Sequence, residues 1–191
     1  MAGREGRAGL RGRERGGGLG SVGGGVVTVP SVRGIELRQC GLTAACAMVA
    51  RWHRHLPRCI GGLVAAELVR ADSGWPVGVA IIGRPVSREL QAQGWCEVTR
   101  VALAPRGDGP MSCPWGAASL AYRWAEAWAW WGGAPILTYT LDCEDGGSLR
   151  AAGWEPVATT RGGAMGHAGQ GEGRAVRGRS SAQSALGSGR A

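Results

Sequence analysis

The chain contains no lysine, no asparagine and no phenylalanine, while glycine, alanine, arginine and tryptophan are abundant. These are the extremes of a GC-rich coding sequence. All 22 Lys/Arg positions are therefore arginine, and the choice of Arg over Lys is little guide to phosphate recognition. No run of about 18 apolar residues occurs, which excludes a membrane-spanning helix, and the N-terminus lacks the apolar core of a signal peptide. A soluble cytoplasmic protein that does not engage a membrane is expected. There is also no C-x-x-C pair. The six cysteines, Cys40, Cys46, Cys59, Cys96, Cys113 and Cys143, are widely and irregularly spaced, which argues against a zinc site or a redox motif. Reduced, mostly buried thiols and no bound metal are the expectation.

What the chain does have is 191 residues, enough for one domain with a single core, and a net charge of +8. The charge is unevenly placed. Residues 1–34 carry six Arg and two Glu, and residues 161–191 carry five Arg and one Glu, so each segment is +4. Residues 35–160 carry eleven Arg and eleven acids and are formally neutral. The two outer segments hold 21 of the 36 glycines and no apolar periodicity that could offset backbone ordering entropy. Both are expected to be disordered tails around a domain at 35–160. They read as solvated low-complexity sequence, as an over-extended reading frame, or as nucleic-acid-binding arms.

Within the domain, residues 42–55 show helical spacing of Ala45, Val49 and Trp52, with Thr43 as a candidate N-cap. Residues 63–69 and 77–82 read as a hairpin around Ala71-Asp72-Ser73-Gly74, and a loop containing residues 91–94 follows. Residues 95–103 alternate as a third strand, with Glu97, Thr99, Val101 and Leu103 on one face and Val98, Arg100 and Ala102 on the other. A Gly/Pro-rich loop at 105–114 leads to a helix over 115–131, with Leu120, Trp124, Trp128 and Trp131 as the apolar stripe facing the sheet. A strand at 136–141, a short helix at 147–152 and a strand at 156–160 complete the domain. Strands on both sides of a long helix imply a parallel crossover. The fold class is α/β (α+β), a mixed, mostly antiparallel sheet flanked by helices.

The junction Cys113-Pro114-Trp115-Gly116-Ala117-Ala118 carries the strongest chemical signal. Small residues opening a helix let backbone N–H groups and the helix dipole reach an anionic phosphate, although they also permit tight helix-to-strand packing. Gly116-x-Ala118, with Ser148-Leu149-Arg150-Ala151-Ala152-Gly153-Trp154 downstream, resembles the GNAT superfamily of acyl-CoA-dependent N-acyltransferases. In that family a Gln/Arg-x-x-Gly-x-Gly/Ala loop follows the fourth strand, and a late helix ends in Leu-Tyr-x-x-x-Gly-Phe. Val77-Gly78-Val79, Gly83-Arg84-Pro85 and Glu97-Val98-Thr99-Arg100 are most similar to a branch associated with phage and mobile elements.

The resemblance implies an acyl-CoA co-substrate held by Val101, Leu103, Cys113, Gly116, Ala117 and Ala118, and acyl transfer to an amine on a small molecule or macromolecule. Such a reaction needs a base for the amine and an acid for the leaving thiolate. Glu97 is the candidate base, or alternatively a partner for Arg100 or Arg84. Cys113 stands where the family usually has Gln or Arg, and Leu149 where it often has the Tyr acid. Of the two tyrosines, Tyr122 and Tyr139, Tyr139 is taken as the replacement acid. Cys113 is alternatively a nucleophile activated by the helix N-terminus. His53, His55, Arg84, Arg100 and Asp142 are candidate acceptor-binding residues, while Asp145 is expected to cap the short helix. The alternatives are a phage-type protein that modifies adenine in DNA and a non-catalytic binding module of the same fold. Tryptophans off the stripe, such as Trp75 and Trp130, mark either a homodimer surface or a pocket surface.

Overall fold

The computed structural model describes residues 34–53, 56–59, 61–141, 144–160 and 173–178. Strands β2 (Val64–Arg70) and β3 (Pro76–Gly83) are buried along almost their whole length, as strands covered on both faces must be. Helix α1 (Leu42–Trp52) covers one face, packing Ala45 and Val49 against Ala65, Val79, Ile81 and Ala102. Helix α3 (Ala117–Trp131) covers the other with Ala117, Leu120, Ala121, Trp124, Ala125 and Ala129. A row of alanines four residues apart lets α3 lie close to the sheet. Of the expected stripe, Leu120 and Trp124 are buried and Trp128 is half-buried, but Trp131 is 72% exposed and stacks edge-on with Trp130.

The sheet has seven strands in the order β1-β2-β3-β4-β5-β7-β6. Strands β1 (Ile35–Cys40), β2, β3 and β4 (Cys96–Leu103) form an antiparallel meander. The β2–β3 connection closes through Gly74, whose φ of +69° a side chain would strain, with its N–H on the Arg70 carbonyl at 2.7 Å. The chain then crosses through α3 to β5 (Ile136–Leu141), parallel to β4. Helix α4 (Gly147–Ala152) and β6 (Glu155–Thr160) follow. The mixed, mostly antiparallel class expected from the sequence is the one observed.

Several details differ from the sequence expectation. Strand β1 precedes the first helix; with only Ile35 and Leu37 buried, its pattern is short. Helix α1 ends at Trp52, and Thr43 lies inside it; the extended Gly41 is the N-cap, without a side-chain bond. Helix α2 (Arg88–Ala92) replaces part of the expected loop, started by Ser87, whose hydroxyl accepts the Leu90 N–H at 3.4 Å.

The largest correction is β7 (Gly173–Arg177), which lies inside the segment expected to be a disordered tail. It pairs antiparallel with both β5 and β6. Ala175 and Val176 are buried, and Gly178 runs so close to Ile136 and the Trp154 ring that a Cβ there would meet them at 3.1–3.3 Å. Apart from Gly34, the remainder of both expected tails lies outside the described residues. Among the described residues no helix is long and apolar enough to cross a membrane.

Because β7 separates β5 from β6, deleting residues 161–191 strips both strands of a partner. Losing the burial of Ala175 and Val176 together with two hydrogen-bond ladders is expected to cost about 3 kcal/mol or more and to lower Tm by roughly 10 °C. Thermal unfolding followed by circular dichroism checks this; an unchanged melt would show that β7 adds nothing to the sheet.

Candidate functional site

Strands β4 and β5 are parallel, yet they are paired only at Cys96↔Ile136 and Glu97↔Leu137. One residue further on, the Thr138 hydroxyl donates to the Val98 carbonyl at 2.9 Å, a side-chain link in place of the ladder. Beyond it, residues 99–103 and 139–141 do not pair with each other, and each strand keeps a partner only on its outer edge. Two strand edges with backbone groups facing a gap are a ready site for an extended ligand. Since α3 carries the chain from the end of β4 back to the start of β5, the helix N-terminus lies at the open end of this fork, where α/β sheets bind ligands.

At that end, Gly116 is the N-cap of α3, with φ of +88° and no side-chain hydrogen bond. A Cβ built on it would meet nothing within 4 Å, so its role is conformational: the left-handed backbone suits glycine. A helix start without a capping side chain leaves first-turn N–H groups for a ligand. Ala117 is buried in the core and Ala118 half-buried. The preceding loop is tied by Cys113 N–H to Pro105 O at 3.3 Å and by Gly107 N–H to the Ser112 hydroxyl at 3.2 Å. The Arg106 guanidinium stacks 3.4 Å from the centre of the 67%-exposed Trp115 ring.

On β4, the register slips between Ile81/Ile82 on the partner strand, so that Ile81 faces Arg100 and Ile82 faces Val98. Thr99 is the extra residue, a β-bulge, and its hydroxyl donates back to the Ile81 carbonyl at 3.3 Å. The bulge resets the alternation expected from the sequence. Val98, Val101 and Leu103 all pack on the α3 side, while Ala102 packs on the α1 side. Glu97, flanked by the α3-side Cys96 and Val98, falls on the α1 side with Arg100. Val101 and Leu103, expected to bind the cofactor, turn their half-buried side chains into the core and can line the fork only with backbone.

Glu97 is 6% exposed, and its carboxylate accepts the Val86 N–H at 2.9 Å. Burial pushes its pKa above the ordinary carboxylate value, while the Val86 N–H and the Arg100 charge oppose the rise. The half-buried Tyr139 is raised by burial and then by the Glu97 charge, which places the two within electrostatic reach. Arg100 is held by carbonyls: Nε and Nη2 on Arg58 O at 3.2 and 2.9 Å, and Nη1 on Thr99 O. Arg84 is exposed in the β3–α2 connection. Thr138, Thr99 and the Val86 N–H carry no marker in the sequence, since a strand threonine and a main-chain donor look ordinary there.

The other candidates separate from this group. Cys113 is 3% exposed, its thiol directed at the Pro114 carbonyl at 3.7 Å, and burial pushes its pKa up to about 11 against the pull of Arg106. Burial thus works against the activated-nucleophile alternative. Tyr122 stacks on Trp154 at 5.4 Å and is pushed up to about 12 by burial and then by Glu144, so it is a core residue. His53 caps α1, its N–H on Val49 O at 2.8 Å, while its Nδ1 accepts the Leu56 N–H at 3.0 Å. Asp145 accepts the Gly147 N–H at 2.9 Å at the start of α4. His55 and Asp142 lie outside the described residues. Among the described residues no three His, Cys, Asp or Glu side chains form a group that could hold a metal ion.

A thiol so buried and so weakly acidic reacts slowly with electrophiles. Iodoacetamide at pH 8 is expected to leave Cys113 unmodified in the native protein and to label it after unfolding in guanidinium, as read by peptide mass mapping. Fast native labelling would restore the nucleophile.

The sequence matches no protein-family model and no curated protein. Solved structures do match its fold. Ribosomal-protein-S5-alanine acetyltransferase from Vibrio fischeri aligns with a TM-score of 0.56 at 9% identity, over 80% of this chain and 96% of that one. The yncA protein from Salmonella typhimurium with its cofactor acetyl-CoA gives 0.54 at 13% identity, over 75% and 92%. A GCN5-related N-acetyltransferase from Brucella melitensis gives 0.53 at 14% identity, over 77% and 76%. At such identities the likeness speaks to architecture alone: the chain has the GNAT fold.

Proposed function

We propose that this protein is an acyl-CoA-dependent N-acyltransferase whose site is the β4–β5 fork. The observation that carries the reading is that the parallel pair closes for two residue pairs and then opens, with the uncapped start of α3 at its open end and Glu97 and Tyr139 beside it. A long, amide-bearing, phosphate-ended molecule fits such a place. The strand edges offer main-chain hydrogen bonds to its amides, and the first turn of α3 offers N–H groups to its phosphates. The thioester would supply the activated acyl group. The backbone of Val101 and Leu103 would line the arm, and the N–H groups at Gly116 and Ala118 would hold the phosphates, the Ala117 N–H being engaged by the Pro114 carbonyl at 3.4 Å.

The chain's own groups then account for the protons. Glu97 accepts the proton that an attacking ammonium must lose, a task suited to a carboxylate whose pKa burial has raised. Tyr139 donates its phenolic proton to the sulfur as the carbon–sulfur bond breaks and the carbon–nitrogen bond forms, and the second proton lost by the nitrogen restores the phenol. The two steps are coupled electrostatically. The negative charge on Glu97 holds the Tyr139 pKa up; once Glu97 is protonated that charge is gone, and Tyr139 becomes a better acid when the thiolate forms. The phage-associated branch and the DNA-modifying alternative rest on motif likeness, and no described contact favours either.

Titration calorimetry with acetyl-CoA, combined with turnover of an amine panel, tests the reading. Glu97→Gln and Tyr139→Phe are expected to bind acetyl-CoA like the wild type, while Glu97→Gln lowers kcat/KM about 100-fold or more. The acidic limb of the wild-type pH profile lies above the ordinary glutamate value and disappears in Glu97→Gln. A raised pKa also means that the folded state favours protonated Glu97. Its stabilising contribution is present below the ordinary glutamate range and is lost as pH rises through the raised value, so Glu97→Gln is at least as stable as the wild type at neutral pH. Absence of acetyl-CoA binding contradicts the proposal, and binding with unaltered turnover in Glu97→Gln contradicts the base.

A further inference from the structure

Among the described residues Arg100 is a fixed cation with no carboxylate in hydrogen-bond contact. Its hydrogen bonds among the described residues go to the neutral carbonyls of Arg58 and Thr99. A guanidinium has five N–H donors, and these contacts occupy three, leaving one on Nη1 and one on Nη2 to donate to an anion. The ion pairs Arg38–Glu36 and Arg70–Asp72 lie elsewhere on the sheet, and the Glu97 carboxylate is engaged by the Val86 N–H. Arg100 is half-buried, its hydrogen bonds go to carbonyls, and beyond the Coulombic pull of Glu97 on the same face it has no anion in contact among the described residues, so an incoming carboxylate would offset part of its desolvation cost.

The bulge at Thr99 decides where this cation points. In a regular strand, residues three apart face opposite ways. With Thr99 as the extra residue, Arg100 joins Glu97 on the α1 face beside the fork. One side of the site therefore presents a carboxylate suited to an ammonium, followed by a guanidinium suited to a carboxylate. A molecule with both groups close together would satisfy the two at once.

We infer that the acceptor is a small amino acid-like amine whose own carboxylate is bound by Arg100 while its amino group faces Glu97. The inference rests on the acyltransferase reading and narrows its substrate. Acylation leaves the acceptor's carboxylate untouched, so Arg100 takes no part in bond making and acts by binding and orientation.

The test uses the full chain, acetyl-CoA, and a panel of free α-amino acids against the matching α-amides, with the N-acetyl product measured by mass spectrometry. The free acids are expected to exceed their amides in kcat/KM by about tenfold or more, the effect of one charge-assisted hydrogen bond. Arg100→Met is expected to lower the acid's kcat/KM about tenfold more than the amide's. Amides acylated as well as acids by the wild type would overturn the inference without recourse to any variant. So would an Arg100→Met loss equal for both, which would leave Arg100 only holding the Arg58 loop, or acylation confined to DNA. If acetyl-CoA binds and no amino acid is acylated, this inference alone falls; if acetyl-CoA does not bind, the acyltransferase reading falls with it.

Discussion

The proposed site depends on where the β4–β5 ladder stops. Parallel strands gain stability from every added pair, so a pairing limited to Cys96↔Ile136 and Glu97↔Leu137 has to be held by other contacts. Those contacts are visible. The meander supports β4 from the β3 side, β7 supports β5 from the other, and α3 packs over the α3-side core that includes Val98 and Ile136. Thr138 marks the branch point by donating to Val98 O. The fork is thus a gap in the hydrogen bonding, held open by a sheet that is complete on both sides.

The same arrangement explains the electrostatics beside it. Glu97 occupies the last paired position before the strands part, buried enough for its pKa to rise, yet supplied with one donor from Val86. Without that N–H, only the Arg100 charge would offset the desolvation penalty of the buried carboxylate. The Thr99 bulge then sets Arg100 on the same face, fixed by Arg58 O and Thr99 O. A one-residue irregularity in β4 brings acid and cation together, which regular alternation would have separated.

The parts legible in the sequence were those with long periodic or punctuated signals. Helix α3, the β2–β3 hairpin and the glycine-opened helix start fall where their spacing placed them, to within a few residues. Glu97 stands out as a lone acid in an apolar strand. What escaped depends on partners far away in the chain. In β7 only Ala175 and Val176 are apolar within a Gly/Arg-rich segment, so its strand character comes from β5 and β6. The bulge at Thr99 reflects the register with β3, and Val86 acts through its main chain, which no residue type announces. Cys113 looked activated by its position at a helix start, but burial, a tertiary property, decides its acidity.

Hydrogen-exchange mass spectrometry with and without acetyl-CoA tests the central claim most directly, because amides on the open edges of the fork lack strand partners and should exchange quickly. The account predicts new protection confined to residues 99–103, 139–141 and the first turn of α3. Protection elsewhere on the molecule, or none at saturating acetyl-CoA, would contradict it.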